Sequence, residues 1–425
     1  MKLNNIYLAL ICSAFIGVGI SYSDFYLFHL MLLIFLVVQF YRLRDNNFSL
    51  SIGILSRKFI PTLLFFLIWY FTSLIWTINL GLGLKYIFYI CCGTVITLTV
   101  VYFSSNQKNL NRVFKVLSVL VFLEIFIALT ESFFGFRMPI SSYSSIASYF
   151  GKDPINYSYF DNFFLTSTLM PPTGFRWNTN DLAIVMVISL PFFLCTKKKY
   201  LKIFGILSIS TIIILTASRA VFLALLIILM LYILLIKKRV GTLILIWMAS
   251  AFILIGMAQL RDSSNPRINE LANSIEALQL YFSGEINIGG SLEWRRQLIE
   301  NGLFAFYKTY GMGLGAGGAT ANQELIGPVA GRFTSMHNFW IELLVEGGVL
   351  IILTFGLWIS SMIFQLFFIS KKTKDQDLKY YSESLLLSLI GFLPAAVAAS
   401  STIYFFPMWI MFGFSISVIF ISKSV

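Results

Sequence analysis

Apolar residues fall along this chain in long unbroken blocks, and twelve of them stand out: 6–20, 25–41, 59–78, 85–103, 113–134, 181–196, 203–217, 220–236, 240–260, 338–369, 382–399 and 403–421. A transmembrane helix needs about 20 such residues to cross about 30 Å of hydrocarbon. The apolar residues do not alternate with polar ones, as they would in the strands of a membrane barrel. The pattern therefore predicts an all-α polytopic membrane protein with about 12 transmembrane helices, read as one integral membrane domain over 1–425. Met1–Ser23 has a basic residue before an apolar run but no convincing small-residue cleavage site, so it reads as an anchor.

The polar positions between the blocks set the orientation. Basic clusters lie at Arg42/Arg44/Arg57/Lys58, Lys108/Arg112/Lys115, Lys197–Lys199 with Lys202, Lys237/Lys238/Arg239 and Lys371/Lys372/Lys374/Lys379. With these spans every cluster lands on one side, so the positive-inside rule puts both termini in the cytoplasm. That agreement depends on 203–236 being two short helices that meet at Ser218-Arg219. One long helix there would place Lys197–Lys199 and Lys237–Arg239 on opposite sides.

Composition narrows the class further. Hydrophobic residues make up 58% of the 425 and charged residues 12%, where soluble domains have about 45–50% and about 25%. The net charge of +12 suggests nucleic acid until its location is considered, because most of it belongs to the cytoplasmic clusters. The four cysteines, Cys12, Cys91, Cys92 and Cys195, lie in apolar runs and outline neither a disulfide framework nor a metal site. His29, also in an apolar run, reads as a satisfied structural histidine.

Two connections are long, 135–180 and 261–337, and long connections usually carry function. Both are expected outside the cell. The second contains an expected amphipathic helix, Leu292–Phe306, with Leu298, Leu303 and Phe306 on its apolar side. The cytoplasmic side holds 15 Lys and 5 Arg, while the outer side and outer helix ends hold 3 Lys and 8 Arg. Those arginines are Arg137, Arg176, Arg219, Arg261, Arg267, Arg295, Arg296 and Arg332. A guanidinium fork suits bidentate binding of phosphate; the alternative is ion pairing with acids such as Glu293 and Glu300.

Gly311-Met-Gly-Leu-Gly-Ala-Gly-Gly318 can offer backbone N–H groups to phosphate, or it can simply bend. His337 opens the next long helix. It is either a helix-start residue bonded to the loop or a general base that titrates near neutrality. Asn338, Glu342 and Glu346, at i, i+4 and i+8, form one polar stripe, and Gly347-Gly348 permits a bend. Glu124 sits near mid-membrane depth, where a carboxylate is a functional candidate or a partner for an arginine such as Arg219. No metal-ligand cluster or nucleotide motif is visible.

Three stretches together resemble the O-antigen polymerase/ligase superfamily, the Wzy and WaaL-like membrane glycosyltransferases of GT-C type. They are Pro172-Thr-Gly-Phe-Arg-Trp-Asn-Thr-Asn-Asp-Leu-Ala183, Leu215-Thr-Ala-Ser-Arg-Ala-Val-Phe-Leu223, and the segment from Arg295/Arg296 through Gly313–Gly317 to His337-Asn338 and Glu346-Gly347-Gly348. Ile351 departs from the ligase version of the last motif, which expects glycine there.

The resemblance implies a polysaccharide polymerase of the bacterial cytoplasmic membrane, active at the external face. It would move a glycan from a polyprenyl diphosphate donor to a lipid-linked repeat unit, with no cofactor and no metal. An O-antigen ligase acting on lipid A core is the alternative, and a flippase is the rival from another class. Against the flippase, the chain shows no two-halves repeat and its polar residues gather at one face. The implied catalytic residues are His337, Arg219 and Arg295. Arg176, Arg296, Asn338, Glu342, Glu124 and Asn180 are implied in substrate binding. The implied partners are polyprenyl diphosphate-linked oligosaccharides, the lipid bilayer and a chain-length regulator, and nucleic acid is not among them.

Overall fold

The computed structural model describes residues 3–44, 59–154, 171–237, 290–327, 329, 334–399 and 403–424. Helices stand on eleven of the twelve predicted blocks: α1 (Leu3–Ile16), α2 (Leu27–Arg44), α3 (Ile60–Ser73), α4 (Leu80–Phe103), α5 (Gln107–Phe134), α6 (Thr179–Cys195), α7 (Lys199–Thr216), α8 (Arg219–Leu231), α11 (Phe339–Lys372), α12 (Gln376–Ala395) and α13 (Phe406–Ser424). Between α8 and α11 lie α9 (Gly290–Lys308) and α10 (Gly318–Ile326). The predicted block 240–260 falls outside the described residues.

Among the described residues seven helices are long and apolar enough to cross a membrane, and four shorter apolar helices accompany them. A two-stranded hairpin, Ser21–Tyr22 with Phe25–Tyr26, joins α1 to α2. On the hairpin's edge the Nδ1 of His29 accepts from the backbone N–H of Tyr26 at 3.1 Å, whereas its buried Nε2 has no hydrogen-bond partner, so the expected satisfied histidine is only half satisfied.

Polar side chains start these helices where the apolar blocks end. Asn79, Asn106, Asn178, Asn338 and Asp375 are N-caps whose side chains accept first-turn N–H groups. Each cap satisfies a donor that the helix leaves unbonded. Inside the bundle the backbone must also be satisfied locally. Pro191 interrupts the ladder of α6, and Ser388 and Ser384 of α12 donate to the carbonyl oxygens of Ile188 and Pro191 at 2.6 and 3.4 Å. A single apolar cluster runs through α1–α8 and α11–α13, with Phe28, Trp409, Phe392 and Phe412 fully buried in it.

The segment 203–236 is two helices. Ala217 takes a left-handed conformation (φ 53°) between α7 and α8, and the far ends of this hairpin meet where Lys202 Nζ donates to Tyr232 Oη at 2.9 Å. The same end of the bundle collects other links. Lys371 Nζ donates to Leu235 O, Gln107 to the carboxylate of Asp375, and Tyr380 Oη to Phe192 O. The basic residues in the first turns of α5, between α6 and α7, at Lys237 and between α11 and α12 therefore share one end of the molecule. The Thr216–Arg219 turn and the start of α6 lie at the other.

Candidate functional site

Arg219 is the first residue of α8. The N-terminus of a helix carries a partial positive charge and unbonded N–H groups. A cation is disfavoured there by about 0.3–1 kcal/mol, whereas an anion would bind to helix end and guanidinium alike. Ser218, the preceding residue, does not cap the helix, and its buried Oγ has no hydrogen-bond partner.

His337 lies immediately before the N-cap of α11 and has a positive φ of 47°. A left-handed conformation costs a residue with a side chain about 1–3 kcal/mol, and such positions gather at functional sites. Asn338 fixes the first turn of α11, accepting the N–H groups of Trp340 and Ile341 at 3.2 and 3.4 Å. Trp340 Nε1 anchors the same turn to Leu393 O of α12 at 2.8 Å.

Arg295 comes from the loop helix α9. That helix buries Leu298, Gly302 and Ala305 at i, i+4 and i+7, with Gly302 and Ala305 against Met336 and Val345. Leu303, expected on the buried side, instead faces outward and is 36% exposed. The reason is steric. A Cβ on Gly302 would lie 2.4 Å from Met336 Cε, so the close face is built from small residues. Arg296 points the other way, its exposed Nε donating to Glu300 at 2.7 Å.

The residues of α8, α9 and the α11 entrance form an electrostatic chain, Arg219 acting on Arg295 and Arg295 on His337. Burial, then the nearby charge of Arg219, lower the pKa of Arg295. Burial, then the charge of Arg295, push His337 down to about 4. His337 is thus neutral at physiological pH and able to accept a proton.

Arg176 and Glu124 are placed elsewhere. Nε and Nη2 of Arg176 donate to the two carboxylate oxygens of Glu124 at 2.9 and 3.0 Å, with both side chains buried. Glu124 therefore pairs with Arg176, not with Arg219. The reason is the 171–176 turn, which folds over α5 and is held there by a second carboxylate, Glu131. Glu131 accepts from the N–H groups of Thr173 and Gly174 at 2.6 and 2.7 Å. Glu131 lies seven residues after Glu124, two turns along the same face of α5, and that spacing was its signal in the sequence. Arg137 supports the turn from outside by donating to Pro171 O at 2.7 Å. Asn180 is half-buried in the first turn of α6. Arg261, Arg267 and Arg332 fall outside the described residues.

The glycine run is a seam in the structure. The N–H groups of Gly313, Leu314, Gly315, Ala316 and Gly318 donate to Thr309 Oγ1, Val345 O, Glu346 O, Ser73 Oγ and Gly315 O. The N–H groups of Gly317 and Ala319 lie near the buried carboxyl of Glu346, whose two oxygens have no hydrogen-bond partner within bonding geometry. The amides of Gly313, Leu314, Gly315, Ala316 and Gly318 are thereby committed within the protein and are not free to cradle a phosphate. The run's partner is the break in α11 at Gly348, where φ is 77° and ψ −177°, a conformation open essentially to glycine alone. A Cβ there would come within 2.4 Å of Met312 O.

In the polar stripe, Glu342 Oε1 accepts from Tyr86 Oη at 3.0 Å, and Tyr86 Oη lies 3.1 Å from Thr320 Oγ1. Tyr86 and Thr320 had no signal in the sequence, since both lie far from Glu342 along the chain. Among the described residues, no group of three or more His, Cys, Asp or Glu side chains could hold a metal ion.

The family model described as O-Antigen ligase matches residues 203–356, a stretch that holds Arg219, Arg295, the glycine seam and His337. The teichuronic acid biosynthesis protein TuaE of Bacillus subtilis (strain 168) is 22% identical over 431 residues, covering 97% of this chain and 83% of that protein.

Proposed function

We propose that this chain, which belongs to the O-antigen polymerase/ligase superfamily, is a polysaccharide polymerase of the bacterial cytoplasmic membrane. It transfers a glycan from a polyprenyl diphosphate donor to the sugar hydroxyl of a second lipid-linked repeat unit, at the external face. One observation carries the reading: Arg219, Arg295 and His337 come from separate elements and meet closely enough for each charge to perturb the next.

The chemistry follows from the charges. The acceptor oxygen attacks the anomeric carbon as the bond from that carbon to the diphosphate oxygen breaks. The hydroxyl proton passes to neutral His337, and the electron pair leaves with the polyprenyl diphosphate. Arg219 and Arg295 stabilise the negative charge that develops there, aided by the N-terminus of α8. Such preorganised donors are worth about 10²–10³ each in rate. In this reading the arginines do the work that a divalent ion does elsewhere. A ligase reading draws support from the description of the family model, and Ile351 stands where the ligase motif carries glycine.

The test is a transfer assay with purified protein and a polyprenyl diphosphate-linked repeat unit, followed by gel resolution of products. We expect a ladder of lengthening glycans that persists in EDTA. A product formed only with a different acceptor lipid would move the protein to the ligase class. Activity abolished by EDTA and restored by a divalent ion would overturn the metal-free mechanism.

A further inference from the structure

A cavity of about 650 Å³ opens beside the candidate site, bounded by α1, α4, the start of α6, α10 and the 404–407 turn. Ser335, two residues before His337, is part of its wall, as are Tyr86 and Thr320 of the Glu342 network. Its charge is opposite to that of the arginine cluster. Two of the cations on its wall are already neutralised: Arg176 by Glu124, and Lys85 by Asp24 at 2.8 Å. The remaining charges on the wall are one ammonium, Lys152, and three carboxylates, Asp153, Asp181 and Glu324. Lys152 itself lies over the rings of Tyr26 and Trp177 at 5.6 and 5.7 Å.

Asp181 supplies the second observation. Its Oδ2 accepts from Asn178 Nδ2 at 2.8 Å, while its Oδ1 is shielded from solvent and has no hydrogen-bond partner. A buried acceptor left unsatisfied costs about 1–3 kcal/mol, and a hydroxyl donor in the cavity would relieve that cost. A diphosphate brings no donor and would add negative charge to carboxylates. A sugar brings several hydroxyl donors, and its C–H faces suit an aromatic wall.

We infer that this cavity is the acceptor-glycan site, which binds sugar hydroxyls through Asp181, Asp153 and Glu324 and excludes the donor's diphosphate, leaving that group to Arg219 and Arg295. The assignment rests on the proposed transferase reading and adds the division of labour: an acidic, aromatic chamber for the acceptor and a basic one for the leaving group, meeting at His337. Glu324→Gln and Asp153→Asn change exposed positions, so they test the chamber without endangering the fold.

The experiment measures binding of two soluble probes to the purified full chain. One is a lipid-free single repeat unit released from the strain's own polysaccharide, and the other is inorganic pyrophosphate. Asp181→Asn, and the pair Asp153→Asn with Glu324→Gln, should each weaken oligosaccharide binding roughly tenfold, the scale of one hydrogen bond to a charged group. Pyrophosphate binding should hold or tighten. Arg295→Gln should give the reverse pattern.

The inference is overturned if oligosaccharide binding ignores all three cavity substitutions, or if both probes respond to the same ones. It also falls if transfer proceeds and these variants leave the acceptor KM unchanged. A wild-type protein that shows the crossed pattern but transfers nothing would refute the transferase reading and leave the glycan site standing.

Discussion

Arg176 is buried and Arg295 half-buried, and the molecule treats them in opposite ways. Around Arg176 the chain supplies the anion itself, a bidentate Glu124 with both side chains buried, and Glu131 then pins the turn that carries the arginine. Around Arg295 it supplies more positive charge, from Arg219, and places beside it a histidine that this charge keeps neutral. Burying a charge is costly unless an opposite charge accompanies it. The first arrangement is complete as folded and serves the scaffold. The second gathers two cations and a neutral histidine from separate elements, at a helix N-terminus that itself favours an anion.

The sharpest way to break this contrast is at His337. If it takes the acceptor proton, His337→Ala should slow the chemical step by about 10²–10⁴-fold, the usual contribution of a general base, while melting temperature and pyrophosphate binding stay close to wild type. Rapid-quench measurement of a single turnover separates that step from product release. A variant with a near-normal single-turnover rate would reduce His337 to a left-handed helix-start residue and send the search for a base to Glu342.

The scaffold side predicts loss of fold in place of loss of chemistry. Glu124→Gln leaves the Arg176 guanidinium buried against a neutral amide and should destabilise the protein by about 3–5 kcal/mol. Adding Arg176→Met removes the orphaned charge and should recover much of that loss, since the two residues form one interacting unit. Denaturation of the two single variants and the double variant in detergent gives the coupling directly. Full stability in Glu124→Gln, with activity lost, would move the pair from scaffold to site.

What could be read in the sequence divides along the same line. Long apolar blocks force helices because a bilayer leaves the backbone no other partner, and eleven of the twelve predicted blocks carry them. The break at Ser218-Arg219 and the bend at Gly347-Gly348 were legible because each arises from a local rule. Contacts between distant segments were not. Glu124 choosing Arg176, Tyr86 reaching Glu342, and the glycine run bonding to α11 all depend on packing that no local spacing encodes. The buried face of α9 was misjudged for a related reason. Hydrophobicity favours Leu303, but the close approach of Met336 selects Gly302 and Ala305. The Arg295–His337 pairing rests on that face, because α9 is what carries Arg295 toward the α11 entrance.

The smallest expected effect is one of pH, and it tests the electrostatic half of the contrast alone. Burial and the charge of Arg295 lower the His337 pKa to about 4, below the ordinary value of about 6.5. In the free enzyme the base is therefore deprotonated throughout the range above about pH 5, and kcat/KM should fall on the acid side only as pH approaches 4. A bound diphosphate offsets the charge of Arg295, so protonation becomes easier in the complex. The acid limb of kcat should then lie at higher pH than that of kcat/KM, since the two report the complex and the free enzyme respectively. Arg295→Gln removes the charge but leaves the burial, so its kcat/KM limb should move up and stop short of 6.5. Stability has the same sign. The unfolded chain binds a proton at His337 more readily than the folded one, so this contribution is full above pH 6.5 and declines as pH falls toward 4. Limbs that coincide in wild type, or an Arg295→Gln profile that does not shift upward, would show that Arg295 does not set the protonation of His337.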